Sequence, residues 1–513
     1  MHRVLARTLL VSMVIVLGWN RALADGNLKN LQHIIIVMQE NHSFDNYFGV
    51  LAYAPGPYHR GPCVDEDHQC VNGLSCTVDA VGNLNCSNSN VDDNARAVSA
   101  FHELSRCVRP DLDHSWVGAH KEGNFARPNK TLLSFPADGF IRVNDLTEQV
   151  DGGVENSTED QTIGYYNQSD IPFYYDLAQK FAISDHYFAS LLGPTFPNRS
   201  YLMAATSFGH LTTNDSFPPP GGYKPITGTI FDLLNQYHVT WADYFQDLPQ
   251  AASFFPSSSH FLPFLVFLAQ AAGLPGAGGL PQVSFVDPNF GALGTALEND
   301  EHPPTDIQRG QAYVSQVVNA VRSGPFWRDS IIFIAYDEHG GFYDHVRAPR
   351  ARQGGASSPD GIAPGQCADL SNPPASQQPG GGAECSSNSR SSSDTSVADA
   401  EALCPAMALD PTGPYPAQCA NFNQLGSRVP FIAVSPFSKR HYVSHTVGDH
   451  TSLLALIERR FLTVNGVTAH LTARDKFANP LEDLFDFDHS PSLHTPIGHA
   501  SPPAADCTPL PLP

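Results

Sequence analysis

The run HIIIVM (33–38) is apolar and β-branched almost throughout, and the chain turns polar immediately after it, as QENHSFDNYFG. SIIFIAYDE (330–338) and VPFIAVSPF (429–437) have the same form. Continuous apolar runs, rather than alternating ones, are what strands covered on both faces require. Short runs of this kind, bounded by polar residues or proline, read as buried strands, and all three are expected to be parallel. Helical patterns lie between and after them. In IQRGQAYVSQVVNAVRSG (307–324), Val314, Val317, Val318 and Val321 recur at helical spacing, with Gly324 where a C-cap falls. In TSLLALIERRFL (451–462), Leu453, Leu456, Ile457 and Phe461 share a face behind Thr451 or Ser452 as cap. Strands alternating with helices predict an α/β fold with a doubly wound sheet. A length of 513 residues suits one large domain with insertions or two domains. The expected organisation is one α/β domain over 25–513. Two excursions, about 54–100 and 350–422, are rich in Gly, Ser, Pro, Asn and Cys.

Residues 1–24 read as a signal peptide. Arg3 and Arg7 precede LLVSMVIVLGW, and Ala22 to Ala24 end in small residues, which predicts secretion with cleavage near Ala24, before Asp25. That apolar run is short for a membrane span. The stretch FLPFLVFLAQAAGLPGAGGLP from Phe261 is broken by prolines, glycines and Gln270, so a surface-packed loop and short helix are expected. The ten cysteines fit export: an even number in an exported chain points to disulfides, and no CxxC pair supports a zinc cluster. Five fall early (63, 70, 76, 86, 107) and five late (367, 385, 404, 419, 507), allowing a long-range link, with Cys507 placed to tie down the tail. A formal net charge of −22 without a basic stripe argues against a nucleic-acid partner.

Ligands of open α/β sheets bind beyond the carboxyl ends of the strands. Glu40 and Asn41 follow the first apolar run, and Asp337 and Glu338 close the second. Three carboxylates and an amide oxygen converging at one edge repel one another unless a cation intervenes. A hard divalent metal is the simplest such cation, although acidic residues at strand ends also serve as ordinary loop residues or caps. GPTFP (193–197) holds Thr195 between prolines, and the NRSYLMAAT that follows has helical potential. Taken alone it reads as a rigid loop. It also places a hydroxyl near a helix N-terminus, where phosphate is favoured and where a bound cation would lower the hydroxyl's pKa. Most of the 22 histidines must be surface or structural residues. His302, ahead of Pro303-Pro304, is rigidly presented and could donate a hydrogen bond or proton to a departing oxygen.

QENHSFDNYFG, GYYNQSDIPFYYDLAQKFAISDHYFASLLGPTFPNRSYLMAATS, NDEHPP, YDEHGGFYDHV and VPFIAVSPFSKRHYVSHTVGDHTSLLALIERRF together resemble the phosphoesterase family. That family includes bacterial phospholipases C, plant non-specific phospholipases C and an acid phosphatase. The ordered match runs from Gln32 to Phe461. The resemblance implies an alkaline-phosphatase-like three-layer sandwich with a mainly parallel central sheet, here carrying disulfide-rich insertions. It implies metal ligation by Glu40, Asn41, Asp337 and Glu338, with Thr195 as nucleophile and further ligand. His114 in DLDHSW and His302 in NDEHPP match histidines that contact phosphate. His339 is a further substrate-binding candidate, and His345 and His450 lie in matching motifs without an assigned role.

The expected activity is that of a secreted, metal-dependent phosphoesterase of phospholipase C type. It would use one divalent ion (Ca, Mg, Mn or Zn) and a phosphothreonine intermediate on Thr195. A phospholipid diester is the favoured substrate. Thr195 matches the phospholipase branch, where the acid phosphatase has serine, and the apolar 261–269 stretch could meet acyl chains in transient contact with a lipid surface. A broad-specificity acid phosphomonoesterase is the alternative, followed by a catalytically inactive secreted binding protein. Metal and histidines are expected to stand in for an arginine clamp. His42 stands where many relatives have arginine, so an effect on phosphate affinity is expected there. The glycosylation sequons at Asn41 and Asn198 fall inside the family motifs and are expected to go unused.

Overall fold

A computed structural model describes residues 28–108, 111–150, 159–213, 218, 221–255, 257–292, 298–351, 359–362, 368–371 and 422–505. The signal segment, most of the 350–422 excursion and Cys507 lie outside these residues. Eight strands form the central sheet: β1 (His33–Gln39), β2 (Ala182–Ser184), β3 (Trp241–Phe245), β4 (Phe261–Pro263), β5 (Val283–Val286), β6 (Ser330–Tyr336), β7 (Phe431–Val434) and β8 (Tyr442–Ser444). Their order is β4-β3-β5-β1-β6-β7-β2-β8. All neighbours pair in parallel except around β7, which is antiparallel to both β6 and β2.

The parallel direction expected for the 429–437 run is therefore corrected. An apolar run reports burial on both faces and carries no information about direction. Direction follows from the connection, since a parallel return needs a crossover to the opposite sheet edge. Here Arg428, just ahead of β7, touches Asp344, just beyond β6, so the chain re-enters the sheet from the edge it left.

The central strands are buried along their whole length apart from His33, because helices cover both faces. Ile307–Ser323 packs with Pro172–Lys180 and Phe264–Ala271, while Thr195–Ala204 packs with His450–Phe461 and Ile230–Gln236. The fold is thus mixed α/β with a large, mostly parallel sheet. Asp306 caps the Ile307–Ser323 helix by accepting from Gln308 N. Gly324 ends it for a steric reason: a Cβ there would lie 1.8 Å from the Ala271 carbonyl oxygen of the neighbouring helix. The cap of the last long helix is Asp449, in a reciprocal capping box with Ser452, rather than Thr451 or Ser452.

Within 54–100 two small hairpins form, Cys76–Val78 with Leu84–Cys86 and Ser89–Val91 with Ala97–Ser99. Disulfides Cys63–Cys70 and Cys76–Cys86 staple this excursion. Cys107 is also disulfide-bonded, and no described cysteine is free. The other four early cysteines pair among themselves, and the partner of Cys107 lies outside the described residues.

Beneath the carboxyl edge, Arg428 is fully buried. It donates to Asp344 Oδ1 and Asp45 Oδ1 at 2.9 Å each and to the Asn72 carbonyl at 2.7 Å, and it lies 4.5 Å over the Phe44 ring. Removing one partner of such a cluster strands buried charge. Arg428→Met is expected to destabilise the protein by about 3–5 kcal/mol, read as a lower urea midpoint at unchanged slope.

Candidate active site

β1 and β6 pair in register, with Gln39 opposite Tyr336. Glu40 and Asn41 therefore leave the sheet beside Asp337 and Glu338, roughly one strand spacing (about 4.8 Å) apart. Asn41 turns the chain with φ of 65°, and its N–H points to Asp337 Oδ1 at 3.4 Å. Gly340 packs so closely there that a Cβ would fall 2.2 Å from the Asn41 carbonyl oxygen. The four expected oxygen donors thus stand at one sheet edge, all of them buried, although Glu40, Asp337 and Glu338 do not present three oxygens all within 4.8 Å of one another.

An arginine enters the carboxylate cluster from the helix that begins with Thr195. Arg199 donates from Nη2 to Glu40 Oε1 and from Nε to Asp337 Oδ2, both at 3.0 Å. The remaining nitrogen, Nη1, donates to Gln250 Oε1, Nη2 also donates to the Met38 carbonyl, and the Phe290 ring centroid lies 5.0 Å from the guanidinium carbon. Arg199 pairs with two of the three carboxylates, and Glu338 lies against His114 and His339 instead. Burial pushes Asp337 up to about 7, with Arg199 opposing and the Glu40 and Glu338 charges adding to the rise. Asn41 Oδ1 and Glu338 Oε1 are buried without a hydrogen-bond partner among the described residues. Hard oxygen donors, two of them orphaned, fit a divalent cation.

Thr195 opens the Thr195–Ala204 helix and is half-buried. It stands four residues before Arg199, on the same helical face and about 6 Å along the axis. Asn198 ties down the preceding turn by donating to the Gly193 carbonyl at 2.7 Å and accepting from Leu191 N at 3.0 Å. Of the first helical N–H groups, that of Phe196 goes to Thr213 Oγ1 and Pro197 has none. The helix end therefore acts through its dipole more than through an open nest of donors. Asn41 and Asn198 are both fully buried, which leaves no room for a glycan on either.

His114 and His302 meet edge to face, ring centroids 5.8 Å apart. Each donates Nδ1–H to a backbone carbonyl at 2.7 Å, His114 to Leu112 and His302 to Pro303, which leaves both Nε2 atoms for other partners. His114 Nε2 lies 3.8 Å from Glu338 Oε1 and His302 Nε2 3.9 Å from Asp111 Oδ2. Burial opposes charge on both rings. The Glu338 and Asp111 carboxylates outweigh it at His114, raising it to about 9, and Asp111 and Glu40 raise His302.

The other histidines stand behind the site. His339 sits between Glu122 Oε2 (2.6 Å) and Glu338 Oε2 (3.3 Å) and is buried. Both its ring nitrogens are thus directed at carboxylates. His42 bonds Asn46 Oδ1 and the Glu301 carbonyl and stacks on Phe342. Burial lowers it to about 4, so it is a neutral core residue without access to phosphate. His450 donates to the Asp337 carbonyl at 2.7 Å, and His345 pairs with Asp45.

Arg199, Glu122 and Asp111 were not anticipated. Arg199 had a legible signal, its i+4 spacing from Thr195 in a helical pattern; Glu122 and Asp111 had none.

One residue further back sets His302 itself. Glu301 is fully buried, with φ of 77°. Its carboxylate accepts from the Tyr47, Tyr174 and Tyr336 hydroxyls at 2.6, 2.5 and 2.5 Å and from Gln39 Nε2 at 3.2 Å. Burial pushes it from its ordinary 4.5 up to about 7, the four donors opposing. The stability this group contributes is complete below about 4.5 and is lost as pH rises to about 7, a change on the order of 3 kcal/mol. Glu301→Gln should flatten that part of the stability–pH curve, followed by urea unfolding between pH 4.5 and 7.5.

A mostly parallel sheet with charged side chains gathered beyond its central strand ends is that of an α/β enzyme working at its carboxyl edge. Residues 31–463 match the model of the Phosphoesterase family, and the chain belongs to that family. It is accordingly a hydrolase of phosphoric ester bonds. Non-specific phospholipase C6 of Arabidopsis thaliana is 27% identical over 94% of this chain and 75% of its own length. Phospholipase C B of Mycobacterium tuberculosis is 28% identical over 94% and 84%. Among solved structures, murine ectonucleotide pyrophosphatase/phosphodiesterase 5 aligns with 62% of this chain and 95% of its own, at 10% identity and a TM-score of 0.31.

Proposed function

We propose that this protein is a secreted, metal-dependent phosphoesterase of phospholipase C type that hydrolyses the phosphodiester of phospholipids. The observation that supports the reading is that Arg199, on the helix that begins with Thr195, bonds Glu40 and Asp337 at the sheet edge where Asn41 and Glu338 also lie. Glu40, Asn41, Asp337, Glu338 and Thr195 would hold a divalent ion, which when bound lowers the pKa of the threonine hydroxyl and offsets phosphoryl charge.

Thr195 gives up its hydroxyl proton to solvent and its Oγ1 attacks phosphorus as the bond to the diacylglycerol oxygen breaks. The His302 imidazolium gives that oxygen its proton, and His114, charged at neutral pH, donates to a non-bridging oxygen. Water then cleaves the phosphothreonine diester and releases the phosphorylated headgroup. His339, held by Glu122, keeps Glu338 in place throughout. The apolar edge supports a lipid substrate: Leu265 and Leu274 are 75% and 54% exposed, within a stretch, 261–281, that has no charged side chain. No described helix is long and apolar enough to cross a membrane.

The names of the relatives favour the diester reading over an acid phosphomonoesterase. Release of phosphocholine from phosphatidylcholine should outpace release of phosphate from p-nitrophenyl phosphate at equal concentration. The opposite ranking would establish the phosphomonoesterase instead, and failure on both substrates with metal present would indicate a binding protein.

A further inference from the structure

A second group of ligating side chains stands at the same sheet edge, two strands from β6. Asp185 and His186 follow β2, and His445 follows β8. These strands pair in parallel with Ser184 opposite Ser444, so the three residues emerge side by side. Asp185 is fully buried. Its Oδ2 accepts from Asn72 N at 2.8 Å, and its Oδ1 faces both His186 Nδ1 at 2.7 Å and His445 Nδ1 at 2.8 Å. The nearby Arg428 bonds the main-chain oxygen of Asp185 and not its carboxylate. The Asp67 side chain is turned away toward His59.

The hydrogen bonding of His445 is the informative feature. Its Nε2 lies 3.1 Å from the Asp67 carbonyl oxygen, an atom that only accepts, so Nε2 carries a proton. In the neutral ring the Nδ1 lone pair then points at a carboxylate oxygen 2.8 Å away. That contact is repulsive unless a cation, either a second proton or a metal ion, lies between them. A backbone carbonyl holding the far ring nitrogen is also the usual support of a metal-ligating histidine. His186 is 25% exposed, which opens the point of convergence to solvent.

We propose that Asp185 Oδ1, His186 Nδ1 and His445 Nδ1 form a binding site for a divalent transition metal of zinc type, with water as fourth ligand. Two imidazoles and one carboxylate suit such an ion better than calcium or magnesium. Ligand atoms of a tetrahedral zinc site stand about 3.3 Å apart, so the side chains need to open by roughly half an ångström. The ion takes the place of the His445 Nδ1 proton, which is released to solvent. It joins the ends of β2 and β8 to each other next to the loop closed by Cys63–Cys70, which contacts β8 through His68 and Val443. The site is separate from the Thr195 cluster and does not depend on the reading of the reaction.

The test uses full-length, tag-free protein stripped of metal and titrated with Zn2+ and Co2+. Wild type should bind one equivalent more than His186→Gln, and that equivalent should give a Co2+ visible spectrum absent from the variant. His186→Gln should keep phosphoester hydrolysis within about twofold, while Glu338→Gln retains the His186-dependent equivalent. In wild type, Zn2+ should shift the Nδ1 resonances of His186 and His445 and raise Tm; this decides the question if the variant does not fold. Equal zinc stoichiometry in wild type and His186→Gln, or unshifted ring nitrogens at saturating Zn2+, would show a hydrogen-bonded ionic cluster only and overturn the proposal.

Discussion

Thr195→Ala is expected to abolish turnover, lowering kcat by about 10^3-fold or more, while leaving fold and substrate binding intact. Thr195 is half-buried at the start of its helix, and the turn ahead of it is held by Asn198, not by its own hydroxyl. Alanine also suits the first position of a helix. Loss of the γ-oxygen thus removes the attacking atom with little structural consequence. Urea unfolding should match wild type, and a non-hydrolysed phosphonate analogue should bind with similar Kd. Thr195→Ser should recover part of the rate. An alanine variant with near-normal kcat would remove the nucleophile assignment.

Exhaustive chelation is expected to lower the rate by about 10^3-fold, reversibly on return of a divalent ion. The outcome is decided between two cations. Arg199 already pairs with Glu40 and Asp337, and if one guanidinium sufficed, metal-free protein would work as well as before. Against that stand the orphaned Asn41 Oδ1 and Glu338 Oε1 and the upward shift of Asp337. The two oxygens lack a hydrogen-bond partner among the described residues, and burial, with the Glu40 and Glu338 charges, disfavours the ionised Asp337. Added metal should therefore raise Tm in wild type and do so less in Glu338→Gln, a readout independent of turnover. Full activity at a metal content far below one per chain would assign the neutralising role to Arg199.

The main features of the fold were legible because burial leaves a mark on composition. Two of the three apolar runs are the central strands β1 and β6, and the valines of 307–324 form the buried face of a helix. Strand direction at β7 was not legible, since a two-sided apolar run is the same read in either sense. The cap of the last helix was displaced from Thr451 or Ser452 to Asp449, because competing polar residues in series differ only in which backbone N–H they happen to reach.

For the site, short sequence distance was the limit. Glu40-Asn41 and Asp337-Glu338 each announce themselves as polar pairs behind apolar strands, and the chain order of motifs named the family. Their meeting depends on β1 and β6 being neighbours in register, a pairing across almost three hundred residues. The entry of Arg199 between two carboxylates, the backing of His339 by Glu122 and the caging of Glu301 by three tyrosines are likewise contacts between remote segments. Local residue order encodes which stretches must be buried and which side chains are chemically able to act. Which charges face one another, and so which histidines are free to touch substrate, depends on distances of a few ångströms between chain segments that only packing brings together.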